Sequence, residues 1–414
     1  MNMKNTTHVL VAQMGARMHY AVPRILNRFD CLEQLFTDAC ASKGLSQALR
    51  FLPEELNLKS VKKLLGRSPE GISPSSITAF TIFGYEYAWR RRHAKSIGEM
   101  TAVHLWAGKK FNQLIIRQGF GSATTVYGYN SACEQLMREA KKKGLRTVLE
   151  QTIAPKSVEM NLLESESSKV DWDISMENSW IDEFVSRERR EWALADTVIC
   201  ASDFVRQALI EEGAAADKCT VVPYGVDCFN VPVCLDTGRQ RDKNIPLRVL
   251  FVGSVGLRKG VHYLLDAMRQ LENIPIECRI VGGWNVDPTI LHQDIPSNVT
   301  LVGAIPRVEV AHEYATADVF CLPSLCEGSA TVIYEALAAG LPVVTTPNSG
   351  SIVRDGQEGF IVPIREADAI AAALEKLYLD RSLLEEMSHA ALKRSQYGSF
   401  EAYSQRLLEA LSCP

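Results

Sequence analysis

Two doubly wound α/β domains, each a parallel sheet covered by helices, are the fold class this sequence predicts. Three observations carry the prediction. Short, nearly continuous apolar runs recur along the chain, as in strands buried on both faces. Helical segments separate most of them, and a repeated strand-then-helix beat winds a parallel sheet. One stretch without periodicity divides the series into two halves.

The beat is clearest in the second half. The strands are LRVLFVGS (247–254), IECRIVGG (276–283), NVTLVGA (298–304), DVFCLPS (318–324), LPVVTT (341–346) and GFIVP (359–363). The first half offers HVLVAQ (8–13), TTVYGYN (124–130), RTVLEQT (146–152), DTVICAS (196–202) and CTVVPYG (219–225), with long helical patterns over 76–118 and 156–195. The stretch GVDCFNVPVCLDTGRQRDKNIP (225–246) mixes Gly, Pro and charge and reads as the connection. The expected division is a first domain over 1–228, a linker over 229–245, a second domain over 246–396 and a terminal helix over 397–414. Two such domains facing each other leave a cleft at the carboxyl ends of their strands, where ligands bind.

The bulk numbers agree with a globular protein of two to three domains: 414 residues, 46% hydrophobic and 23% charged. A net charge of -4 argues against a general nucleic-acid binder. Basic clusters at Arg90-Arg91-Arg92, Lys109-Lys110 and Lys141-Lys142-Lys143 read as solvated helix faces, with peripheral contact to an anionic membrane surface as the alternative. The 11 cysteines lack C-x-x-C spacing, which fits buried thiols in a reducing compartment. The apolar run near Met1 is too short for a signal peptide or a membrane span, so the expected location is cytoplasmic.

The chemistry concentrates in PSLCEGSATVIYEALAAGLPVV (323–344). A strand ends, a glycine turn follows, and a helix runs over about 330–339 before Gly340 stops it. Gly328 permits close backbone approach, and the N–H groups of Ser329, Ala330 and Thr331 would offer an anion site on the helix axis. Glu327 in the turn suits sugar hydroxyls; its plain alternative is a capping acid. Glu335 is the single acid in an otherwise apolar helix, so burial demands a partner, and a ribose diol would serve. In VGSVGLRKG (252–260), Arg258 and Lys259 open a helix where the dipole disfavours cations, so an anion must repay them. Gly350, in NSGSIVRDG, sits in a second loop whose N–H groups can face phosphate.

On the first domain, QMGARMHYAVPRIL (13–26) follows the first strand. Gly15 lets a ligand approach, and Arg17, His19, Tyr20 and Arg24 are candidates on the acceptor side. Glu150 and Gln151 end the strand RTVLEQT, either holding substrate hydroxyls or forming a buried, hydrogen-bonded terminus. The acids of DWD (171–173) lie in a polar stretch and read as surface groups, and no metal spacing stands out.

CEGSATVIYEALAAGLPVVTTPNSGSIVRDGQEGFIVP resembles the signature of the family-4 retaining glycosyltransferases of the GT-B fold, whose two glutamates match Glu327 and Glu335. ADTVICASDFVRQALIEEG, VVPYGVD and FVGSVGLRKGVHYLLDA also match, so the resemblance covers most of the chain, best over 196–378. It implies that Lys259 grips the donor pyrophosphate, that Gly15 lies near the donor phosphate and acceptor, and that backbone around Gly303 and Ile305 receives the nucleobase. It also implies a terminal helix packing back on the first domain. Two departures stand out: Ser254 replaces an expected arginine, with Arg258 as the substitute, and Glu150-Gln151-Thr152 stand where many relatives carry a histidine. The implied activity is metal-independent, retaining transfer of a sugar from a nucleotide diphosphate sugar to a hydroxyl on a carbohydrate, lipid-linked or small-molecule acceptor. No cofactor is expected, and cell-surface polysaccharide or glycolipid synthesis is the implied setting. The alternatives are a sugar-nucleotide epimerase of the same fold or a catalytically weak sugar-nucleotide-binding protein.

Overall fold

A computed structural model describes residues 7–41, 66–170, 172, 177–227, 245–284 and 295–412. Of the expected linker only Ile245 is among them, and Asp171 and Asp173 lie outside them. The first domain holds β1 (Val9–Gln13), β2 (Leu32–Thr37), β3 (Ile77–Ala79), β4 (Thr125–Tyr129), β5 (Arg146–Gln151), β6 (Thr197–Cys200) and β7 (Cys219–Val221). The second holds β8 (Leu247–Val252), β9 (Ile276–Val281), β10 (Val299–Gly303), β11 (Val319–Leu322), β12 (Val343–Thr345) and β13 (Gly359–Ile361). The sheet orders are β3-β2-β1-β4-β5-β6-β7 and β10-β9-β8-β11-β12-β13. Every pairing is parallel. The winding reverses between β1 and β4, and again between β8 and β11, so each domain has a topological switch point where a crevice opens.

All the apolar runs expected as strands form strands; β2 and β3 are additional. LEQLFT in β2 carries Glu33 and Gln34 on its half-buried start, which breaks the apolar run. Those side chains are satisfied locally: Ser122 donates to Glu33, and Gln34 donates to Thr78 Oγ1 at 2.9 Å. β3 is a three-residue edge strand at the head of a segment that is otherwise helical. That segment is two helices, Thr81–His93 and Ile97–Gln118. Ser96 starts the second by accepting from Glu99 N at 3.1 Å, while Glu99 accepts from Lys95 N at 2.7 Å. The two bonds tie down the helix mouth, with Glu99 reaching the N–H one residue before the cap.

One buried apolar cluster includes residues of both sheets, from Val9 and Tyr127 to Leu250 and Phe320. The helix Phe400–Ser412 lies against the first domain: Tyr403 packs edge-on to Tyr224, and Arg406 donates to Pro223 O at 3.0 Å. The described cysteines are free and buried. No helix among the described residues is long and apolar enough to cross a membrane.

The domains are pinned together at Glu166, a carboxylate with no side-chain exposure on the helix Lys156–Ser167. It accepts from His262 Nε2 at 3.1 Å and Tyr263 OH at 2.6 Å, and Arg365 of the second domain also pairs with it. Lys169 completes the cluster at 3.1 Å. Burial alone would raise this carboxyl, but the four donors outweigh it and hold its pKa at about 2, below the ordinary 4.5. A depressed carboxyl adds stability above its unfolded value and loses it as pH falls toward the folded one. The melting temperature is therefore expected to fall below pH 4.5 on the way to about 2. Thermal unfolding of Glu166→Gln should start lower at neutral pH and show a flatter acid limb; an unchanged acid limb would count against the pin.

Candidate functional site

The second domain's switch point brings two loops together. β8 ends at Val252, and its loop closes in the short turn Leu257–Lys259. β11 ends at Leu322, and its loop carries Glu327. Because β8 and β11 are neighbours, these loops meet although they are far apart in sequence. Lys259 Nζ lies 2.7 Å from Glu327 Oε1, and Arg258 NH1 lies 2.8 Å from the same oxygen. Arg258 also donates to Cys326 O at 3.0 Å. Burial would raise the Glu327 carboxyl, yet Lys259 and Arg258 outweigh it and hold it below the usual carboxylate range. Two cations facing one carboxylate leave a net positive charge at the carboxyl ends of the strands.

The helix Thr331–Ala338 begins just beyond. The N–H groups expected to be open are only partly so. Ala330 N already donates to Ser349 O at 3.1 Å, so this donor is withdrawn from the anion site. Ser329 turns its hydroxyl inward to Tyr334 OH at 2.6 Å. Thr331 holds the first helical position, whose N–H has no partner within a helix. Glu335 does have protein partners: Tyr314 OH donates to it at 3.1 Å, and Arg307 NH2 is 3.8 Å away. Its carboxyl is raised by burial, with Tyr314 and Arg307 acting in the opposite direction. Asn348, ahead of Gly350, ties this loop to the Glu327 loop, since Glu327 N donates to Asn348 O at 2.9 Å.

Gly328 and Gly350 are where the chain has no room. A Cβ on Gly328 would lie 1.7 Å from Thr152 O of the first domain, and one on Gly350 would lie 2.0 Å from Gly328 O. The close approach at Gly328 is thus made by the facing domain's backbone. Ser202 caps the helix Asp203–Glu211 by accepting from Val205 N, and its hydroxyl donates to Gly328 O at 2.6 Å. Arg17 NH1 reaches Thr152 Oγ1 at 3.1 Å on the same seam.

Gly15 has a left-handed φ of +74° with open space where a Cβ would stand, and its N–H donates to Asp38 Oδ1 at 2.9 Å. Met18, His19 and Tyr20 follow with φ of 48°, 50° and 59°. Such a run costs roughly 1–2 kcal/mol per residue. It directs His19 toward the second domain, where its Nε2 meets Arg307 NH1 at 3.1 Å. Burial first, then Arg307 and Arg24, push the His19 pKa down from 6.5. Gly303 ends β10 and Ile305 follows in the loop before Arg307, with Gly303 at φ +79° and its carbonyl taken by Gly282 N.

Four first-domain candidates are placed differently from the expectation. Tyr20 is fully buried and belongs to the core. The Arg24 guanidinium lies over the Phe400 ring at 4.9 Å and holds the terminal helix. Glu150 is 2% exposed and accepts from Tyr127 OH at 2.5 Å and Tyr224 OH at 2.8 Å. Gln151 is 0% exposed, donates to Ile153 O and accepts from Trp192 Nε1. Sealed and satisfied within the domain, both form the buried, hydrogen-bonded strand terminus that was the plain alternative.

Arg307, Tyr314, Ser202 and Asp38 were not singled out by sequence. Arg307 carried a readable signal: it is a cation at a helix start just after Pro306, the argument applied to Lys259. Among the described residues no group of three or more His, Cys, Asp or Glu side chains is gathered to hold a metal ion.

Comparison with known proteins places this geometry. Residues 239–394 match the model of glycosyl transferases group 1. A putative colanic acid biosynthesis glycosyltransferase, WcaL of Salmonella typhimurium, is 30% identical over 233 residues, 52% of this chain and 56% of the relative. The amylovoran biosynthesis glycosyltransferase AmsK of Erwinia amylovora is 30% identical over 205 residues, 45% and 49% of the two chains. The matched region thus spans about half the length of these curated relatives. Among solved structures, Anabaena HepE in complex with UDP and glucose has a TM-score of 0.61 at 17% identity, covering 98% of this chain and 100% of that one. The sucrose-phosphate synthase of Thermosynechococcus elongatus gives 0.63 at 17% identity, covering 98% of each chain. The two-domain architecture is therefore the GT-B fold.

Proposed function

We propose that this chain, whose residues 239–394 match the model of glycosyl transferases group 1, moves a sugar from a nucleotide diphosphate sugar to a hydroxyl acceptor, with retention and without a metal ion. The observation that carries the reading is the Arg258–Lys259–Glu327 group at the switch point. Departure of a nucleotide diphosphate leaves charge on oxygen, and preorganised cations beside it lower the barrier. Lys259 and Arg258 supply that charge. Glu327 fixes both cations and stands where the transferring sugar gains positive character. Glu335, poised by Tyr314, takes the ribose hydroxyls. Arg17 and Thr152 on the first domain border the acceptor side. The polysaccharide relatives and the UDP-bound neighbour support a cell-surface polysaccharide acceptor and a UDP-type donor.

The test is a thermal-shift screen of UDP-, GDP- and ADP-sugars followed by product analysis. One donor should raise the melting temperature, and an α- or β-linked glycoside of unchanged anomeric configuration should form. Transfer should persist in excess chelator. Full loss with EDTA and rescue by manganese would overturn the metal-free step, and an epimerised donor without glycoside would overturn transfer.

A further inference from the structure

Glu188, on the helix Ile181–Leu194, is a carboxyl only 1% exposed, and the transfer chemistry does not use it. It ties together the loops at the carboxyl ends of β4 and β5. Its Oε2 accepts from Lys156 N at 2.8 Å, the first N–H of the helix Lys156–Ser167, which has no partner within that helix. Its Oε1 accepts from Gln151 Nε2 at 3.3 Å, and Ser131 Oγ lies 3.5 Å away. Ser131 stands there with a left-handed φ of 63°. Between Gln151 and Lys156 runs the stretch whose Thr152 and Ile153 backbone lies against Gly328 of the second domain. Glu188 thus holds both ends of the segment that makes the seam.

The charges around it are spoken for. Lys156 Nζ pairs with Glu159 at 2.9 Å. Arg187 lies 3.4 Å from Glu191, the next acid on the same helix, and donates to Leu105 O at 3.0 Å. Arg17 is on the Thr152 hydroxyl. Burial, with Arg91, Lys156 and Arg17 behind it, pushes His104 of the neighbouring helix down to about 4, so this ring is neutral. Burial pushes the Cys133 thiol up, so it too is neutral. Among the described residues no cation pairs with Glu188. Burial pushes its carboxyl up to about 7; the Lys156 N–H and the Gln151 and Asn130 amides pull against this, and Glu191 adds to the rise. A neutral acid suits the place, because Oε2 keeps the Lys156 N–H while a proton on Oε1 reaches Ser131 Oγ. An ionised one is a second carboxylate beside Glu191 with no counter-charge of its own. The folded value lies above the unfolded 4.5, so the stabilisation this acid gives the closed arrangement is complete below 4.5 and is lost as pH rises through about 7.

We propose that neutral Glu188 is the positioning residue for the Thr152 side of the cleft, and that loss of its proton loosens the Gln151–Lys156 stretch and the seam against Gly328. That the loosening slows sugar transfer rests on the function proposed above; the loosening itself does not.

Hydrogen exchange of the full-length protein, read by mass spectrometry, tests the loosening without any substrate. After correction for intrinsic rates, exchange across 152–158 should be about tenfold faster at about pH 8.5 than at about pH 6. Glu188→Gln, which mimics the neutral acid, should show the slow rate at both. Equal corrected rates in the parent protein, or slower exchange at the higher pH, would overturn the proposal. So would a change that Glu188→Gln retains, which would assign the titration to another group such as Glu191. Should Glu188→Gln fail to fold, the sign of the parent's change decides alone. In transfer assays, kcat/KM of the parent should descend above about pH 7, and the Glu188→Gln profile should lack that limb. A limb that persists in Glu188→Gln would deny Glu188 its positioning role. A parent protein that transfers no sugar from any donor sinks the transfer reading instead, and exchange then decides for Glu188.

Discussion

Lys259→Ala should lower kcat/KM for sugar transfer by on the order of 10²–10³, about 3–4 kcal/mol of transition-state stabilisation. The size follows from local charge. Lys259 and Arg258 share Glu327 Oε1, so the group carries one net positive charge. Without Lys259, Arg258 and Glu327 neutralise each other and nothing remains to meet a departing diphosphate. The lysine is also nearly buried, so water does not supply the missing charge cheaply. Arg258→Ala should cost less, because Arg258 is the more exposed of the two and spends one donor on Cys326 O. Glu327→Gln gives the contrasting outcome. Removing the acid frees both cations, so affinity for the nucleotide diphosphate product should hold or rise while kcat falls. Steady-state kinetics with product inhibition separates the two results. A Lys259→Ala enzyme at the parent rate would remove the switch-point group from the chemistry.

The second domain's half of the candidate site was legible in the sequence because its parts are local patterns. Glu327 and Glu335 lie in one strand–turn–helix, and the oddity of a cation at a helix start exposes Lys259 without any knowledge of its partner. The first domain's half was less legible. Glu150 ends a strand as a catalytic acid would, but whether it faces the cleft or the core depends on Tyr127 and Tyr224, and Tyr224 comes from beyond β7. Tyr20 and Arg24 follow the glycine loop in sequence, yet the left-handed turn at 18–20 sends only His19 across the seam. The fold itself followed from apolar runs, and it failed to reveal strands only where they were broken or short. β2 begins with polar side chains that find partners in a loop and on β3, and β3 is too brief to interrupt the helical pattern after it. The approach of Gly328 to Thr152 on the seam between the domains leaves the weakest trace of all, since it brings backbone atoms together across distant positions and backbone atoms are the same at every residue.

That seam sets the second large expectation. Gly328→Ala should reduce transfer by about a hundredfold or more, the scale on which roughly an ångström of misplacement acts, and should enlarge the molecule measurably. The added methyl would meet Thr152 O at 1.7 Å, Thr152 C at 2.7 Å and Ile153 Cα at 3.2 Å, all of them backbone atoms, so no rotamer relieves the clash. Neither side yields easily. Asn130 Oδ1 holds Thr152 through its hydroxyl at 2.9 Å, and Arg17 holds the same hydroxyl at 3.1 Å. Opposite, Ser202 Oγ grips Gly328 O at 2.6 Å. The least costly response is for the domains to part at this point, since Gly328 lies in a loop outside both sheets and each core can stay intact. Small-angle scattering should then show a larger radius of gyration, and circular dichroism should be unchanged. Ser202→Ala makes the control: it removes two hydrogen bonds, the one to Gly328 O and the helix cap on Val205 N, each worth about 1 kcal/mol, without adding bulk. Its activity should fall only a few-fold and its dimensions should stay those of the parent. If Gly328→Ala keeps both its size and its rate, the closed contact between Thr152 and Gly328 is not the arrangement in which transfer occurs, and Arg17 and Thr152 lose their place beside the acceptor.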